Sequence, residues 1–374
     1  MRIQQVKSFK LGLKLNEPMA IAFHVFRFAE IFFIELHSED GFYGIGEGSP
    51  FTPLTGELES DIRAEVQALN PEALPEFSDP DEFWAAIHSK IRSVSLRSAL
   101  DLAAHDLVAR SRGLPVCKLY RPNVLHVPNS VTIFLKETPE ATLAEGRRIL
   151  ELYPGLQVIK IKLKGEGDVE RCKKLRELRA PRLSFSLDAN QGYLNGDRAI
   201  RALTEICSDL GKVMLIEEPC PRGDLELTSY VRKGMRGVPI FADESCLALD
   251  ELRQIIAAQA FDGINIKLQK LGGMTPALEI AALAQKHGMG LMVGQMLEGP
   301  LGSATGAHFA SAAGGVVLTD LDMDLELPQF CLGQLPMLGG IRLPTDRPGF
   351  GVDLDRSMIE QLRLTHDATW EEWR

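Results

Sequence analysis

The sequence predicts an α/β protein: a modified (β/α)7β barrel of TIM type, preceded by an N-terminal α+β capping domain. Three observations carry this expectation. From about residue 128, eight short β-rich runs alternate with amphipathic stretches. Five of those runs end on a charged residue at nearly even spacing. The first 125 residues, by contrast, read as strands first and helices after, the order of a separate α+β unit.

In the cap, residues 1–125, the segments 2–14 and 30–37 alternate as strands. Residues 41–48 form a glycine-rich turn region, and 57–69 and 81–112 carry helical periodicity. In the barrel, residues 126–327, strands are expected at 129–134, 157–163, 183–188, 213–217, 239–243, 262–267, 290–294 and 316–322. Helices lie between them, at 139–152, 168–179, 197–209, 248–258 and 275–287. An open doubly wound sheet would show a glycine fingerprint after its first strand, and 135–145 has none. A Pro/Gly-rich tail replaces an eighth helix. Residues 328–374 are expected to return to the cap, with a short helix near 355–363.

The chain has 374 residues, enough for a barrel and a smaller domain. Its 45% hydrophobic and 25% charged residues are those of a globular protein. A net charge of −10 argues against nucleic acid or an anionic membrane as partner. No apolar run approaches the ~18 residues of a spanning helix, and the N-terminus lacks a signal-peptide core. The six cysteines are scattered, with no C-x-x-C pair, which reads as buried thiols in a reducing cytoplasm. A cytoplasmic homo-oligomer acting on a small molecule is expected.

The chemistry sits at the strand ends. Strand two ends on Lys160, Ile161 and Lys162; strand three on Asp188, Ala189 and Asn190. Strand four ends on Glu217 and Glu218, strand five on Asp243 and Glu244, and strand six on Asn265, Ile266 and Lys267. The steps from Lys162 to Asp188, Glu217, Asp243 and Lys267 are 26, 29, 26 and 24 residues, each about one βα unit. A barrel gathers these ends on one face. Any one acid there reads equally well as a helix cap or a solvated charge. Three on consecutive strands would repel unless a hard cation such as Mg²⁺ joined them. Glu218 competes with Glu217 as a ligand; Glu217 is preferred because it directly follows the apolar run from Val213 to Ile216.

Lys162 and Lys267 flank this set on opposite sides of the barrel. Lys160 and Lys162 share a strand face, and neighbouring ammoniums beside a dication would lower a lysine pKa toward that of a general base. A metal and two opposed bases suit removal of a proton next to a carboxylate, with an enediolate between removal and return.

These residues resemble the enolase superfamily, muconate-lactonising subgroup, through KIK at 160–162, DAN at 188–190, IEEP at 216–219, ADES at 242–245 and INIKL at 264–268. The resemblance covers most of the chain. It implies one Mg²⁺ per subunit on Asp188, Glu217 and Asp243, with Lys162 and Lys267 as the acid/base pair. A mandelate-racemase-like member would carry a His at the end of the seventh strand; here that strand ends on Val293, Gly294 and Gln295.

Asp320 and Asp322, expected on one face of the last strand, look like the Asp-x-Asp by which dipeptide epimerases hold the substrate's α-ammonium. An anionic partner for a partly desolvated amine is also what charge alone requires. The bland alternative is an acidic loop start. Met323 and Asp324 follow where the family often has proline, so Asp322 and Asp324 stay open as the pair. Thr132 sits where these epimerases place a substrate-contacting Thr. Lys160 and Gln295 join the substrate-binding set, and Asn190 supports it. His24, in the cap loop 17–28, stands where an Ala-Glu epimerase would place Arg, which argues against strict Ala-Glu specificity. Phe26 and Phe51 hint at an apolar side-chain pocket. The resulting expectation is an L-dipeptide epimerase. The alternatives are o-succinylbenzoate synthesis, N-acylamino acid racemisation or muconate cycloisomerisation on the same scaffold, and a non-catalytic peptide or amino-acid sensor.

Overall fold

The computed structural model describes residues 1–120, 127–178, 180–333 and 335–374. The boundary expected at 125/126 lies outside the described residues. The cap opens with a long antiparallel hairpin, β1 (Ile3–Ala20) and β2 (Val25–Ser38), followed by β3 (Tyr43–Gly48). The glycine-rich segment expected to be a turn is thus largely a strand. Its glycines have a packing reason. A Cβ on Gly44 would lie 2.2 Å from the Ala103 carbonyl oxygen, and one on Gly46 1.9 Å from that of Ala99. The bare strand lets a helix lie directly on the sheet.

Four helices follow: α1 (Thr52–Thr55), α2 (Glu59–Ala68), α3 (Pro80–Ile87) and α4 (Val94–Ser111). The helical periodicity over 81–112 is divided between two helices. Ser93 caps α4 by accepting from Leu96 N–H, and Glu65 accepts from the Arg92 and Ser93 N–H groups, so the chain turns there. Helix α4 is buried on nearly every side, between the cap sheet and the barrel.

The barrel is an eight-stranded parallel sheet: β4 (Ser130–Ile133), β5 (Val158–Lys162), β6 (Ser184–Asp188), β7 (Val213–Glu217), β8 (Ile240–Ala242), β9 (Gly263–Ile266), β10 (Gly290–Val293) and β11 (Val316–Thr319). A parallel bridge between Asn129 and Thr319 closes the ring. Outside it run α5 (Pro139–Leu152), α6 (Asp168–Lys174), α7 (Gly196–Leu210), α8 (Leu225–Gly234), α9 (Leu249–Ala258), the short α10 (Leu268–Leu271), α11 (Met274–Lys286) and α12 (Pro300–Ala313). The last strand ends at Thr319, three residues before its expected limit.

The tail pairs β12 (Cys331–Leu332) with β13 (Asp353–Leu354) and continues through α13 (Arg356–Leu364). Then β14 (Ala368–Glu372) joins the cap sheet beside β1.

Three buried carboxylates fasten the cap to the rest. Glu47, on β3, accepts from Gly299 and Gly302 N–H at 2.6 and 3.1 Å, at the start of α12. Asp101, on α4, accepts from Met274 and Thr275 N–H at 2.6 and 3.1 Å, at the start of α11. Asp106 joins Ile45 N–H of the cap to Phe350 N–H of the tail. Helix starts offer unpaired N–H groups and positive potential, so each carboxylate satisfies donors that burial would otherwise leave bare.

Candidate active site

Parallel strands turn alternate side chains inward, and register decides which of them meet. Lys162 pairs in register with Asp188, and Asp188 with Glu217. Asp243 follows β8 directly, and Lys267 follows β9. One carboxylate oxygen from each of Asp188, Glu217 and Asp243 lies within 4.8 Å of the others, and all three side chains are buried. Strands β5 and β9 are four apart in a ring of eight, so Lys162 and Lys267 stand on opposite sides of this triad.

The ammonium of Lys162 donates to Asp188 Oδ2 at 2.6 Å, and that of Lys267 to Asp243 Oδ2 at 2.6 Å. Lys160 is fully buried below them. It donates to Asp320 Oδ2 at 2.6 Å and lies 3.1 Å from both Asp188 and Glu217. Set against these carboxylates alone, two of the three lysines are held in the charged form. Burial pulls Lys267 down, but Asp243 outweighs it and holds the ammonium above its ordinary range. For Lys160, Asp320, Glu217 and Asp188 likewise overcome burial.

The acids diverge. Burial pushes Asp188 up, yet Lys162 and Lys160 bring it down to about 2. Burial pushes Glu217 up to about 7, helped by Asp188 and Asp320 and only partly opposed by Lys160. Glu217 Oε1 has the Lys160 ammonium at 3.1 Å but no hydrogen-bond donor directed at it. Three converging carboxylates, one of them with an oxygen buried without a donor, fit a hard divalent ion such as Mg²⁺.

Glu218 turns away. Its carboxylate accepts from Ser245 Oγ and from the Asp243 and Ser245 N–H groups, and its backbone reaches φ +33° to do so. Asn190 also has positive φ, +40°; its side-chain amide donates to Glu244 Oε1, and its N–H bonds Asp188 Oδ1.

Asp320 and Asp322 lie past the end of β11, not on one strand face, yet they converge on Thr132. Asp320 Oδ1 accepts from Ser130 Oγ at 2.8 Å and from Thr132 Oγ1 at 3.4 Å. Asp322 Oδ2 accepts from Thr132 N–H at 2.7 Å, while its Oδ1 is buried without a partner. Burial, with Asp320 beside it, pushes Asp322 up to about 8. Asp324 is engaged elsewhere, in a two-pronged ion pair with the buried Arg342 and a bond from Ser303. Asp320 and Asp322 thus share Thr132 as a partner, whereas Asp324 bonds Arg342 and Ser303. Gln295 bonds Ser303 at 3.0 Å.

Thr132, Lys160, Lys162, Asn190, Asp243, Lys267, Gln295, Asp320 and His24 all line one cavity of about 530 Å³ between the barrel mouth and the cap. His24 is set edge-on to the rings of Phe26 and Phe51. Two neighbours escaped the sequence analysis. Lys270 donates to the Asp243 carbonyl and, at 2.8 Å, to Asp243 Oδ1. Asn265 donates to Glu217 Oε2 at 2.7 Å. Asn265 lies two before Lys267 on the same strand, a spacing that could have revealed it.

Residues 3–120 match the family model of the mandelate racemase / muconate lactonizing enzyme N-terminal domain, and residues 144–358 that of the enolase C-terminal domain-like fold. The chain is 34% identical to the L-Lys-D/L-Arg epimerase of Methylococcus capsulatus, across 94% of this chain and 99% of that one. It is 30% identical to the hydrophobic dipeptide epimerase of Enterococcus faecalis, across 92% and 95%. A solved dipeptide epimerase from Cytophaga hutchinsonii, in complex with Mg and D-Ala-L-Val, is similar over all of both chains, with TM-score 0.88 and 27% identity.

Proposed function

This chain belongs to the mandelate racemase / muconate lactonizing enzyme family of the enolase superfamily, and from that premise we propose that it is a Mg²⁺-dependent isomerase that inverts the α-carbon of the C-terminal residue of an L-dipeptide. The observation that carries the reading is the placement of Lys162 and Lys267, four strands apart across three converging carboxylates.

Asp188, Glu217 and Asp243 would hold the ion. When bound, it supplies positive charge to the substrate carboxylate and so stabilises the negative charge that develops as the α-proton leaves. With a dication on the same carboxylates, Lys162 and Lys267 exchange attraction for repulsion, which moves each toward the free base a proton abstractor needs. One lysine, uncharged, takes the α-proton from its face. The other, as ammonium, gives a proton to the opposite face. Lys270 and Asn265 orient Asp243 and Glu217 from behind. Asp320 and Asp322 hold the α-ammonium, and Thr132 fixes both carboxylates.

The relatives' names range from Lys and Arg to hydrophobic dipeptides, so they leave the side chain open. We assign the enzyme to the cytoplasm and to a homo-oligomer. Among the described residues, no helix is long and apolar enough to cross a membrane.

The test is α-proton exchange in heavy water, with Mg²⁺ and L-dipeptides. Exchange is expected at the C-terminal α-carbon, and the Asp320→Ala, Asp322→Ala double variant should lose most of it. Full activity in that variant would remove the case for a free ammonium and favour N-acylamino acid racemisation.

A further inference from the structure

Building on the dipeptide reading, we propose that the substrate's first residue carries a bulky apolar side chain, seated against Met19, Ile21, Phe26, Phe51, Phe134 and Met323.

Direction places it there. The reacting carbon lies between Lys162 and Lys267, and the α-ammonium points to Asp320, just past β11. The first residue therefore lies on the β11–β4 side of the mouth. The tip of the β1–β2 hairpin comes down on that side: Leu135 N–H, just past β4, donates to the Ala20 carbonyl at 3.0 Å. Ile21 N–H donates to the His24 carbonyl at 2.9 Å and closes the tip. Met19 faces Phe26 across the hairpin. Phe134 lies two residues beyond Thr132 and Met323 three beyond Asp320, and both line the same cavity. The loop before α1 meets the hairpin through rings, with Phe51 centred 5.2 Å from both Phe26 and His24 and 6.1 Å from Phe23.

Charge argues the same way. None of the acids along this cavity is among the six side chains of the seat. Glu30 and Glu59 both pair with Lys10. Glu57 accepts from Ser93 and Ser95, and Glu244 from Asn190. Asp320 is committed to Lys160 and, in this reading, to the α-ammonium. A Lys or Arg side chain in the seat would be desolvated against rings and two thioethers. An apolar chain of Leu or Phe size loses nothing by that burial and gains the contact.

The experiment is the same exchange measurement on L-Xaa-L-Ala, with Xaa as Ala, Leu, Phe, Glu, Lys or Arg and N-succinyl-L-Ala alongside. Leu- and Phe-first dipeptides should exceed Lys- and Arg-first ones roughly ten- to hundredfold in kcat/KM. Phe26→Ala and Phe51→Ala should each shrink the ratio of Phe-first to Ala-first, and Phe26→Asp should raise Lys-first relative to Phe-first. Lys- or Arg-first dipeptides that match Phe-first would overturn the pocket assignment and leave dipeptide epimerisation standing. Exchange on N-succinyl-L-Ala and on no dipeptide would overturn the dipeptide reading and this proposal with it.

Discussion

Along four barrel strands, the inward residue near the middle is apolar and the one two positions on is charged: Val158 then Lys160, Leu215 then Glu217, Phe241 then Asp243, Leu318 then Asp320. The lower set, with Met292, forms a small cluster inside the ring. Phe241 dominates it, and a Cβ added to Gly263 or Gly290 would strike its ring at 2.4 or 2.7 Å. The upper set holds Lys160, Lys162 and Lys267 against Asp188, Glu217, Asp243 and Asp320. Both layers are buried, but they are held by opposite means. The floor is stable because nothing in it asks for water. The mouth is stable only as a set, since each buried charge depends on its partners. The floor keeps water from reaching those partners from below.

That contrast can be broken from either side. Lys162→Ala and Lys267→Ala should each lower inversion by roughly three to four orders of magnitude while leaving the fold intact by circular dichroism. Each should retain α-proton exchange from one epimer, a different one in the two variants. Exchange lost from neither would end the two-base assignment. In the floor, Phe241→Ala should cost about 3–5 kcal/mol in denaturant unfolding, because a ring leaves a cavity that short, closed strands cannot fill. Its stereochemistry of exchange should be unchanged below the melting temperature.

The smallest effect separates charge from burial. His308, on α12, is as buried as the lysines but has no carboxylate beside it; its Nδ1 accepts from Cys117 N–H at 3.2 Å. Burial lowers it from 6.5 to about 4. The unfolded chain protonates near 6.5 and the folded one does not, so its contribution is complete above that pH. It is lost as pH falls toward 4, by up to about 3 kcal/mol. His308→Gln should flatten that stretch of the stability profile.

Much of this was legible in the sequence. The strand ends could be found because short apolar runs stop abruptly at Lys162, Asp188, Glu217, Asp243 and Lys267, and barrel closure alone then brings them together. What was hidden depends on partners far along the chain. Lys270 reads as an ordinary helix lysine until the fold sets it on Asp243. Glu47 reads as an acid in a glycine-rich turn until the start of α12 arrives over it. The glycines of β3 looked like a turn because their meaning lies in α4, more than fifty residues on. Helix α12 carries no polar face, being buried almost throughout, and so shows no amphipathic period.

Glu47, Asp101 and Asp106 have a kinetic consequence. A seam riveted by two buried carboxylates on helix starts, with a third on the tail, is interior, not a hinge, and swinging the cap aside would strip Glu47 and Asp101 of their donors at once. Substrate and product must therefore pass at the two loop tips, where Phe23 is 43% exposed and a few ring contacts hold the door. The turnover limit then belongs to some ten residues of fast, local motion, and the side chain that best fits the rings is also the one that leaves most slowly.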